Sequence, residues 1–344
     1  MINVAVVGLG YWGPNLARNM ANTPNACLHT LCDMQSERLT RIGERYPAAK
    51  QQRNFGALLA DPEVDAVVIA TPVHTHFQLT TAALQANKHV LVEKPLAQSS
   101  AQCRELIALA EKNKRILMVG HVFLYNGAVR RVKEYIDSGE LGEIYYIYSQ
   151  RLNLGIVRQD VNVLWNFAPH DLSILCYWLD AAPKRVQAQG YSYLQEGIED
   201  VAFITLDFPR GVGANVHLSW LDPHKVRRMT VVGSKKMVVY DDVRADARLM
   251  VFDKGIVKKP NEHPSLGRFE SFGEFQLLVR AGDVLIPKID FVEPLKMECQ
   301  HFVECIITGQ QPLTDGRHGL QVTEALEAAQ RAMNEDSAFY LSSS

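Results

Sequence analysis

The first third of the chain alternates short apolar runs with segments of helical periodicity. Apolar runs typical of buried strands occupy residues 4–7, 28–32, 63–70, 89–92 and 115–119. Between them, apolar positions recur at helical spacing over residues 14–20, 35–46, 75–87 and 99–112. Strands and helices in this order predict a parallel sheet that helices cover on both faces.

The pattern changes after residue 121. Helical periodicity covers residues 128–138 and 172–179, a strand is predicted at 143–152, and period-two runs follow at 185–193, 200–208, 211–220, 225–233 and 236–240. The turns between these runs are short enough for antiparallel neighbours. Residues 254–268 have the composition of an exposed loop, helices are predicted at 294–308 and 316–336, and serines 342–344 are expected to fray.

These patterns predict an α/β chain with two domains. Residues 1–122 are expected to form an N-terminal Rossmann domain with a parallel sheet. Residues 123–344 are expected to form a C-terminal α+β domain with a large, mostly antiparallel sheet.

A glycine motif stands between the first predicted strand and the first predicted helix. Gly8, Gly10 and Gly13 have the spacing G-x-G-x-x-G, and Tyr11 and Trp12 lie inside the motif. Glycines at this spacing allow a tight turn, a close approach of the backbone to pyrophosphate and tight packing of helix on strand. The free N–H groups of the following helix attract phosphates. The motif therefore predicts a dinucleotide site.

Asp33 ends the second predicted strand and follows Gly13 by 33 − 13 = 20 residues. An acid at this spacing accepts hydrogen bonds from the adenine-ribose hydroxyls, which favours NAD over NADP. Two alternatives stay open. In the first, Asp33 serves only to cap the next helix. In the second, Ser36 and Arg38 receive the 2′-phosphate of NADP.

Composition and charge narrow the class of protein. The chain has 344 residues, 47% hydrophobic and 22% charged, which suits about two globular domains. The formal net charge is −2 and the basic pairs are scattered, so neither nucleic acid nor a membrane is an expected partner. The six cysteines form no C-x-x-C pair, and neither a targeting segment nor a membrane-spanning apolar run stands out. We therefore expect reduced thiols, no metal and a cytoplasmic location.

Lys94 follows the predicted strand at residues 89–92 and stands between Glu93 and Pro95. The carboxyl ends of parallel strands meet at the crevice in which open α/β sheets bind ligands, so Lys94 is a candidate for chemistry. A solvated lysine in a turn is the alternative. His170 precedes the predicted helix at 172–179 and is likewise either catalytic or a satisfied histidine at a helix end.

The segment after the strand at 63–70 has polar residues at the same predicted edge. Thr71, Pro72, His74 and His76, together with Glu93, are candidates to line the cofactor site. A polar turn is the alternative for either histidine, and a metal site lacks a third ligand at a sensible spacing.

Four motifs occur in order along nearly the whole chain. They are Gly8-Leu9-Gly10-Tyr11-Trp12-Gly13, Ala70-Thr71-Pro72-Val73-His74-Thr75-His76, Glu93-Lys94-Pro95 and Trp165-Asn166-Phe167-Ala168-Pro169-His170-Asp171. This set resembles the glucose-fructose oxidoreductase / inositol dehydrogenase (Gfo/Idh/MocA) family. Residues 11–16 and 293–296 are similar to its branch of UDP-N-acetylglucosamine and UDP-N-acetylglucosaminuronate 3-dehydrogenases.

The resemblance implies a second domain whose open-faced sheet forms a homodimer or homotetramer, and a cis bond between Lys94 and Pro95. It implies that Lys94 and His170 are catalytic and come from separate domains to meet beside the nicotinamide. The family commonly has aspartate four residues before this histidine, where the chain has Asn166. An amide orients neighbours but has no charge, so proton transfer is expected to depend on Lys94 and His170 alone.

The resemblance also implies the oxidation of a secondary hydroxyl of a sugar, and for the matched branch that of a UDP-linked N-acetyl sugar at C3 in polysaccharide biosynthesis. Arginines suit a diphosphate because a guanidinium donates two parallel hydrogen bonds, and aromatic rings suit uracil or a sugar. Besides Lys94, the candidate substrate-binding residues are Tyr125, Asn126, Arg151, Asn153, Arg158, Trp165, Asn166 and His170.

Three alternatives stay open for the substrate and the class of protein. In the first, the arginines named above are ordinary surface charge and the aromatic residues belong to the core. In the second, the substrate is a free cyclitol or hexose, which requires fewer cationic groups. In the third, the chain is a regulator of the same fold that binds nucleotide or sugar without turnover.

Overall fold

A computed structural model describes residues 1–155, 157–256, 279–335 and 337–341. The chain divides into two compact units. The first contains Met1–Asn126, Leu172–Cys176 and Val292–Glu327, and the second contains Gly127–Asp171, Tyr177–Phe291 and Ala328–Ser344. Each unit has one sheet, parallel in the first and mostly antiparallel in the second, which confirms the predicted fold class.

The sheet of the first unit has six strands, which are β1 (Ile2–Val7), β2 (Ala26–Cys32), β3 (Lys50–Gln52), β4 (Ala66–Ile69), β5 (His89–Glu93) and β6 (Leu117–Gly120). They lie in the order β3-β2-β1-β4-β5-β6, and each neighbouring pair is parallel. The direction of winding reverses between β1 and β4. Open α/β sheets bind ligands at the carboxyl ends of the strands beside such a reversal.

The helices of this sheet are α1 (Gly13–Ala21), α2 (Ser36–Gly43), α3 (Phe55–Ala60), α4 (His76–Gln85) and α5 (Ser100–Lys112). Both β3 and α3 are too short to give a periodic signal and were not predicted. Asn54 caps α3 by accepting a hydrogen bond from Ala57 N at 3.0 Å. Ser99 caps α5 by accepting one from Gln102 N at 3.3 Å. The strands β1 and β4 are buried on both faces, as expected between two helical layers.

A segment near the C-terminus also belongs to the first unit. The helix α8 (Pro294–Thr308) packs against α1. Val119 N donates to Thr314 O at 2.8 Å, and a Cβ on Gly319 would lie 2.8 Å from Val119 Cγ2. The start of α9 (Gly316–Glu335) therefore lies against the edge strand β6. The predicted boundary after residue 122 did not anticipate this return, because contacts between distant segments leave no trace in local periodicity.

The sheet of the second unit has nine strands in the described residues, which are β7 (Ile144–Leu152), β8 (Arg185–Tyr191), β9 (Val201–Asp207), β10 (Gly213–Ser219), β11 (Val226–Gly233), β12 (Met237–Asp241), β13 (Leu249–Ile256), β14 (Val279–Leu285) and β15 (Ala338–Tyr340). Their order is β14-β13-β12-β11-β7-β10-β9-β8-β15. The pair β7 and β10 is parallel, and the other neighbours are antiparallel. Strand β9 alternates buried and exposed residues, which fits one packed face and one open face.

The second unit contains the helix α6 (Gly127–Asp137) and both ends of the helix α7 (Val163–Leu179), whose residues Leu172–Cys176 belong to the first unit. The predicted start of α7 at residue 172 was wrong, because Pro169 lies inside the helix rather than ahead of it. Asn162 Oδ1 accepts a hydrogen bond from Trp165 N at 3.1 Å, so Asn162 caps the start of α7. Trp178 Nε1 donates to Val129 O at 2.9 Å and so connects α7 to α6.

The last strands of this sheet were not predicted. The strand β13 extends to Ile256, so the predicted loop at 254–268 was wrong for its first residues. Its lysine and glycine concealed the strand, because both residue types are depleted in strands. Residues 257–278, on which the rest of that prediction falls, lie outside the described residues, as do serines 342–344.

Candidate active site

The glycine motif forms the loop between β1 and α1. Gly8 has a φ of +88°, and a Cβ there would lie 2.6 Å from Ala70 O. A Cβ on Gly13 would lie 1.9 Å from Gly8 O. Packing within the protein therefore requires both glycines. Gly10 differs, because a Cβ there would meet only Arg38 Nη1, at 3.7 Å. The room beside Gly10 fits the close approach of a pyrophosphate.

The glycine loop ends where α1 begins. Trp12 is the N-cap residue, and its side chain makes no capping hydrogen bond. Pro14 occupies the first turn, where a missing N–H costs nothing. The ring of Tyr11 is 93% exposed and stacks on Trp12 with centroids 6.5 Å apart. A helix N-terminus beside an exposed aromatic ring suits a nucleotide.

The two glycines Gly10 and Gly13 give contrasting predictions. Gly13→Ala is expected to lower the stability of the NAD-free protein by about 1–3 kcal/mol, because its methyl group overlaps Gly8 O. Gly10→Ala is expected to leave that stability unchanged and to weaken NAD binding only. Thermal denaturation without cofactor and titration with NAD measure the two effects. Equal destabilisation by both variants would remove the argument for a ligand at Gly10.

Asp33 is held against the glycine loop. Its Oδ2 accepts a hydrogen bond from Leu9 N at 2.7 Å, and its Oδ1 accepts one from Gln35 N at 2.8 Å. The bond from Gln35 N forms a turn ahead of α2, whose N-cap residue is Gln35 with no side-chain capping bond, so Asp33 does not take the capping role that the sequence left open. The guanidinium of Arg38 lies 3.7 Å from Asp33 Oδ2. An acid and a base thus stand together where the adenine ribose of a dinucleotide is expected.

We expect Asp33→Ala to weaken NAD binding and to narrow the preference for NAD over NADP by about tenfold or more, since a hydrogen bond to a charged group contributes about 1.5–3 kcal/mol. The loss of the carboxylate also frees Arg38 for a 2′-phosphate. Titration with both cofactors measures the ratio. Asp65→Ala is the matched control, because its Oδ2 accepts from Asn3 N at 2.8 Å away from the glycine loop. An unchanged ratio in Asp33→Ala would exclude this carboxylate from cofactor selection.

His76 connects the loops that follow β4 and β5. Its Nδ1 lies 2.8 Å from Pro95 O and its Nε2 lies 2.9 Å from Thr71 O. Burial lowers the pKa of His76, against the opposing effects of its hydrogen bonds with Pro95 O and Thr71 O. Pro72 and His74 are exposed beside them. His76 therefore joins Thr71 to Pro95, the residue after Lys94, and its contact with a cofactor stays a prediction.

Glu93 and Lys94 stand at the carboxyl end of β5. The Lys94–Pro95 peptide bond is cis, as expected. Lys94 N donates to Glu93 Oε2 at 3.3 Å. Gly120 pairs with Glu93 across β5 and β6, and a Cβ on Gly120 would lie 3.1 Å from Glu93 Cδ. Burial raises the pKa of the Glu93 carboxyl to about 7, against the opposing effects of the Lys94 charge and of hydrogen bonds from Lys94 N and Trp12.

The predicted cofactor residues thus share one edge of the first unit. The glycine loop follows β1, Asp33 follows β2, the segment from Thr71 to His76 follows β4, and Lys94 follows β5. Because β1, β2, β4 and β5 are parallel, their carboxyl ends lie at the same edge of the sheet.

Trp165, Asn166 and His170 lie on α7, in the second unit. Asn166 N donates to Asn162 O at 3.1 Å, so the first turn is helical. Asn166 and His170 are four residues apart and share a face of the helix. All three side chains are partly buried. An amide therefore lies one turn ahead of the candidate catalytic imidazole.

Arg151 is engaged within the second unit. Its Nε and Nη2 donate to Asp171 at 2.6 and 3.3 Å, and Ser149 Oγ donates to the same carboxylate at 2.8 Å. Arg151 is 6% exposed and Asp171 is 1% exposed. This buried pair anchors α7 to β7 beside His170. The predicted contact of Arg151 with a diphosphate stays a prediction.

Tyr125 and Asn126 belong to the first unit and are buried. The Tyr125 ring is 2% exposed, its hydroxyl lies 3.2 Å from Thr314 Oγ1, and its centroid lies 5.5 Å from that of His301. This placement favours the core role that the sequence left open for Tyr125.

Asn153 and Arg158 follow β7 in the second unit. Asn153 N donates to Ser219 O at 3.0 Å. The half-exposed guanidinium of Arg158 donates to Asp160 at 2.6 and 2.8 Å. Their contact with a substrate stays a prediction.

Two buried ionisable groups of the first unit were not predicted. His121 follows β6, is 1% exposed, and neither ring nitrogen has a hydrogen-bond partner among the described residues. Glu298 lies in α8 and is 0% exposed. Glu298 could have been found from the sequence, because an acid at this position falls on the apolar face defined by Leu295 and Phe302.

One group of possible metal ligands occurs in the part of the chain that the structure describes. Ligand atoms of His29, Asp61 and Glu63 all lie within 4.8 Å of one another. Lys50 Nζ lies 3.0 Å from Asp61 Oδ2 and 2.6 Å from Glu63 Oε2. An ammonium group therefore already balances these acids, and the group is a surface ion-pair cluster.

Comparison with protein families assigns the chain. The oxidoreductase family with an NAD-binding Rossmann fold matches residues 2–121, and the GFO/IDH/MocA C-terminal domain matches residues 129–239. The chain belongs to the Gfo/Idh/MocA family. It is an oxidoreductase, and its first unit contains the NAD-binding Rossmann domain.

Several characterised proteins are similar to this chain. Myo-inositol 2-dehydrogenase of Thermotoga maritima is 26% identical over 265 residues, which cover 74% of this chain and 79% of that protein. The scyllo-inositol 2-dehydrogenase (NAD(+)) of Bacillus subtilis is 25% identical over 325 residues, 91% and 88% of the two chains. The structure of UDP-N-acetylglucosamine 3-dehydrogenase GnnA from Acidithiobacillus ferrooxidans superposes with a TM-score of 0.81 at 24% identity and covers 97% and 98%.

Proposed function

We propose that this protein oxidises a secondary hydroxyl of a sugar with NAD, and that its substrate is a UDP-linked N-acetyl sugar oxidised at C3 in polysaccharide biosynthesis. One observation carries the proposal. Lys94 stands at the carboxyl end of β5, on the sheet edge that also holds the glycine loop and Asp33. A lysine at this edge of an NAD-binding domain suits alcohol oxidation, because it stabilises negative charge on an oxygen.

The described residues fit NAD. Gly10 leaves room for a pyrophosphate beside the start of α1, and Asp33 offers carboxylate oxygens to ribose hydroxyls. When bound, NAD supplies the acceptor for the hydride of the substrate carbon.

The protein moves the proton. We assign His170 as the base that accepts the hydroxyl proton and Lys94 as the donor of a hydrogen bond to the same oxygen while the carbonyl forms. Positioned acid–base groups of this kind contribute about 10²–10⁴ in rate. The rest of the rate acceleration comes from the orientation of the substrate in a site that excludes water.

Asn166 distinguishes this chain from family members with aspartate at that position. A charge 4 Å from a cation contributes roughly 4 kcal/mol at an effective dielectric constant of 20. Asn166 orients the substrate hydroxyl or His170, but it is uncharged and so adds no electrostatic stabilisation of a cation. Proton transfer therefore depends on His170 and Lys94.

A free cyclitol or hexose is the second candidate substrate. Two observations favour it. The relatives named above include two inositol dehydrogenases, and Arg151 is engaged by Asp171 and so contributes less to a diphosphate site. A cyclitol requires no such site.

A candidate of another class is a regulator that binds NAD and sugar without turnover. The presence of Lys94 and His170 argues against it, and the amide at Asn166 is the feature in its favour. Binding of NAD without formation of NADH on any sugar would identify a regulator.

A substrate screen tests these functions together. UDP-N-acetyl sugars, cyclitols and free hexoses are incubated with NAD while NADH is followed by absorbance, with and without 2-oxoglutarate to accept electrons from a retained cofactor. We expect the highest kcat/KM with a UDP-N-acetyl sugar. A higher value with a cyclitol would assign the second candidate, and NAD binding with no turnover would assign the regulator.

We also propose a homodimer or homotetramer through the second unit and a cytoplasmic location. The open face of the sheet exposes the aromatic residues Tyr146, Tyr148 and Phe203. Exposed aromatic patches mark protein interfaces. All six cysteines are free thiols, which suits a reducing compartment. None of the described helices is both long and apolar enough to cross a bilayer.

A further inference from the structure

The carboxylate of Asp171 is held on both of its oxygens by two residues of β7. Its Oδ1 accepts hydrogen bonds from Ser149 Oγ at 2.8 Å and from Arg151 Nη2 at 3.3 Å, and its Oδ2 accepts one from Arg151 Nε at 2.6 Å. Ser149 and Arg151 are two residues apart and therefore face the same side of the strand. Three donors from one strand fix this carboxylate, and the turn of α7 that carries it, in one position on β7.

A second charge pair keeps Arg151 on Asp171. Arg227 of β11 stands directly opposite Arg151 in the register of the two strands, so both guanidinium groups face the same side of the sheet. Arg227 Nη1 donates to Asp242 Oδ2 at 3.4 Å. Each cation thus has its own acid. Repulsion between the two arginines disfavours an arrangement in which Arg151 turns from Asp171 towards Arg227.

The helix α7 needs such an anchor because Pro169 lies inside it. Proline has no N–H, so the hydrogen bond that position 169 of a regular helix donates to the carbonyl of Trp165 is missing. The helix is therefore weakened just ahead of His170. Asp171 follows His170 directly, so the contacts of its carboxylate fix the helix on the other side of this weak point. Successive residues of an α-helix differ by about 100° and about 1.5 Å, so the position of Asp171 sets the direction of His170.

We propose that Arg151 and Asp171 are positioning residues for His170. Their buried pair, with the hydroxyl of Ser149, holds the turn of α7 that carries the imidazole, so that His170 keeps one orientation relative to β7. The kinetic consequence rests on the function proposed above, whereas the orientation of His170 does not. This role gives Arg151 an effect on kcat, whereas a contact with a diphosphate would give it an effect on KM.

Two variants separate the orientation of His170 from the stability of the fold. In Arg151→Met/Asp171→Leu, apolar side chains replace the whole pair, and such replacements of a buried ion pair are often neutral for stability. Arg151→Lys keeps the charge but lacks the planar fork of the guanidinium, so it does not hold both carboxylate oxygens.

Arg228→Met/Asp241→Leu is the matched control. Arg228 Nε and Nη2 donate to Asp241 Oδ2 at 3.0 and 2.8 Å. Arg228 follows Arg227 in β11 and so points to the other face of the sheet. The control therefore removes a comparable pair from the face opposite that of Asp171.

Nuclear magnetic resonance of the NAD-free protein with labelled histidines tests the orientation. The signal of the His170 imidazole is the one that His170→Ala lacks. We expect one sharp signal in the wild type and in the control, and a broadened or split signal in Arg151→Met/Asp171→Leu and, to a smaller extent, in Arg151→Lys. Either folded variant decides the question. One sharp His170 signal in that variant would overturn the proposal, as would a broadened signal in the wild type.

Steady-state kinetics with the substrate from the screen tests the effect on the reaction. We expect Arg151→Met/Asp171→Leu to lower kcat by about 10–10²-fold with KM unchanged, because a misplacement of about 1 Å has an effect of this size. Arg151→Lys should lose less, and the control should lose nothing. An unchanged kcat would overturn the proposal, and a raised KM at that kcat would assign Arg151 to substrate binding. If no substrate is oxidised, the proposed function fails, and the resonance spectra still decide the orientation of His170.

Discussion

Replacement of Lys94 by alanine is expected to lower kcat by about 10²–10⁴ while the affinity for NAD changes little. In the proposed mechanism the ammonium group of Lys94 stabilises charge that develops on the substrate oxygen, so its loss is expected to affect the reaction step more than binding. Initial rates of NADH formation and titration with NAD measure the two quantities separately.

Lys112→Ala is the matched control for this variant. Lys112 is an exposed lysine in the last turn of α5, in the same unit. We expect its kcat to equal that of the wild type. Residual turnover of Lys94→Ala within a few-fold of the wild type would exclude Lys94 from the chemistry.

The second large effect is expected at His170. His170→Ala removes the proposed base, so kcat should again fall by about 10²–10⁴, and added imidazole should restore part of the rate. Partial rescue by a small base distinguishes loss of proton transfer from damage to α7. The measurement is the rate of NADH formation against imidazole concentration.

His224→Ala is the control, because His224 is exposed in a turn of the second unit. It should keep the wild-type rate and show no response to imidazole. A His170→Ala variant that retains most of the wild-type activity would assign the proton to another group.

The sequence predicted the first unit well because its signals are local. Buried parallel strands are continuous apolar runs, and β1 and β4 coincide with such runs. The spacing of Gly8 and Gly13 depends on steric limits within one short loop, as the 1.9 Å distance from a Cβ on Gly13 to Gly8 O shows. Such constraints are visible without tertiary structure.

Features that depend on distant segments were not visible. The return of α8 and the start of α9 to the first unit rests on contacts such as that between Val119 and Thr314. The helix α7 continues through Pro169, although local rules read proline as a boundary. At both places, the return of α8 and α9 and the passage of α7 through Pro169, long-range packing determines the structure and local sequence preference does not.

The candidate site residues also divide into those that a local sequence signal identified and those whose surroundings only the structure shows. Motif spacing identified Asp33, and the structure places it against the glycine loop. Residue type alone suggested ligand roles for Tyr125 and Arg151, which the structure buries against partners inside their own units. Glu298 has a sequence signal, its place on the apolar face of α8, but only the structure shows that its side chain is completely buried.

The central claim is that Lys94 and His170 act on the same substrate hydroxyl in one step. A double-mutant cycle on kcat with Lys94→Ala, His170→Ala and the double variant tests it most directly. Groups that act as a unit are strongly non-additive, so we expect the double variant to be about as slow as the slower single variant. Losses that multiply in the double variant would show that the two residues act independently, which would contradict the claim.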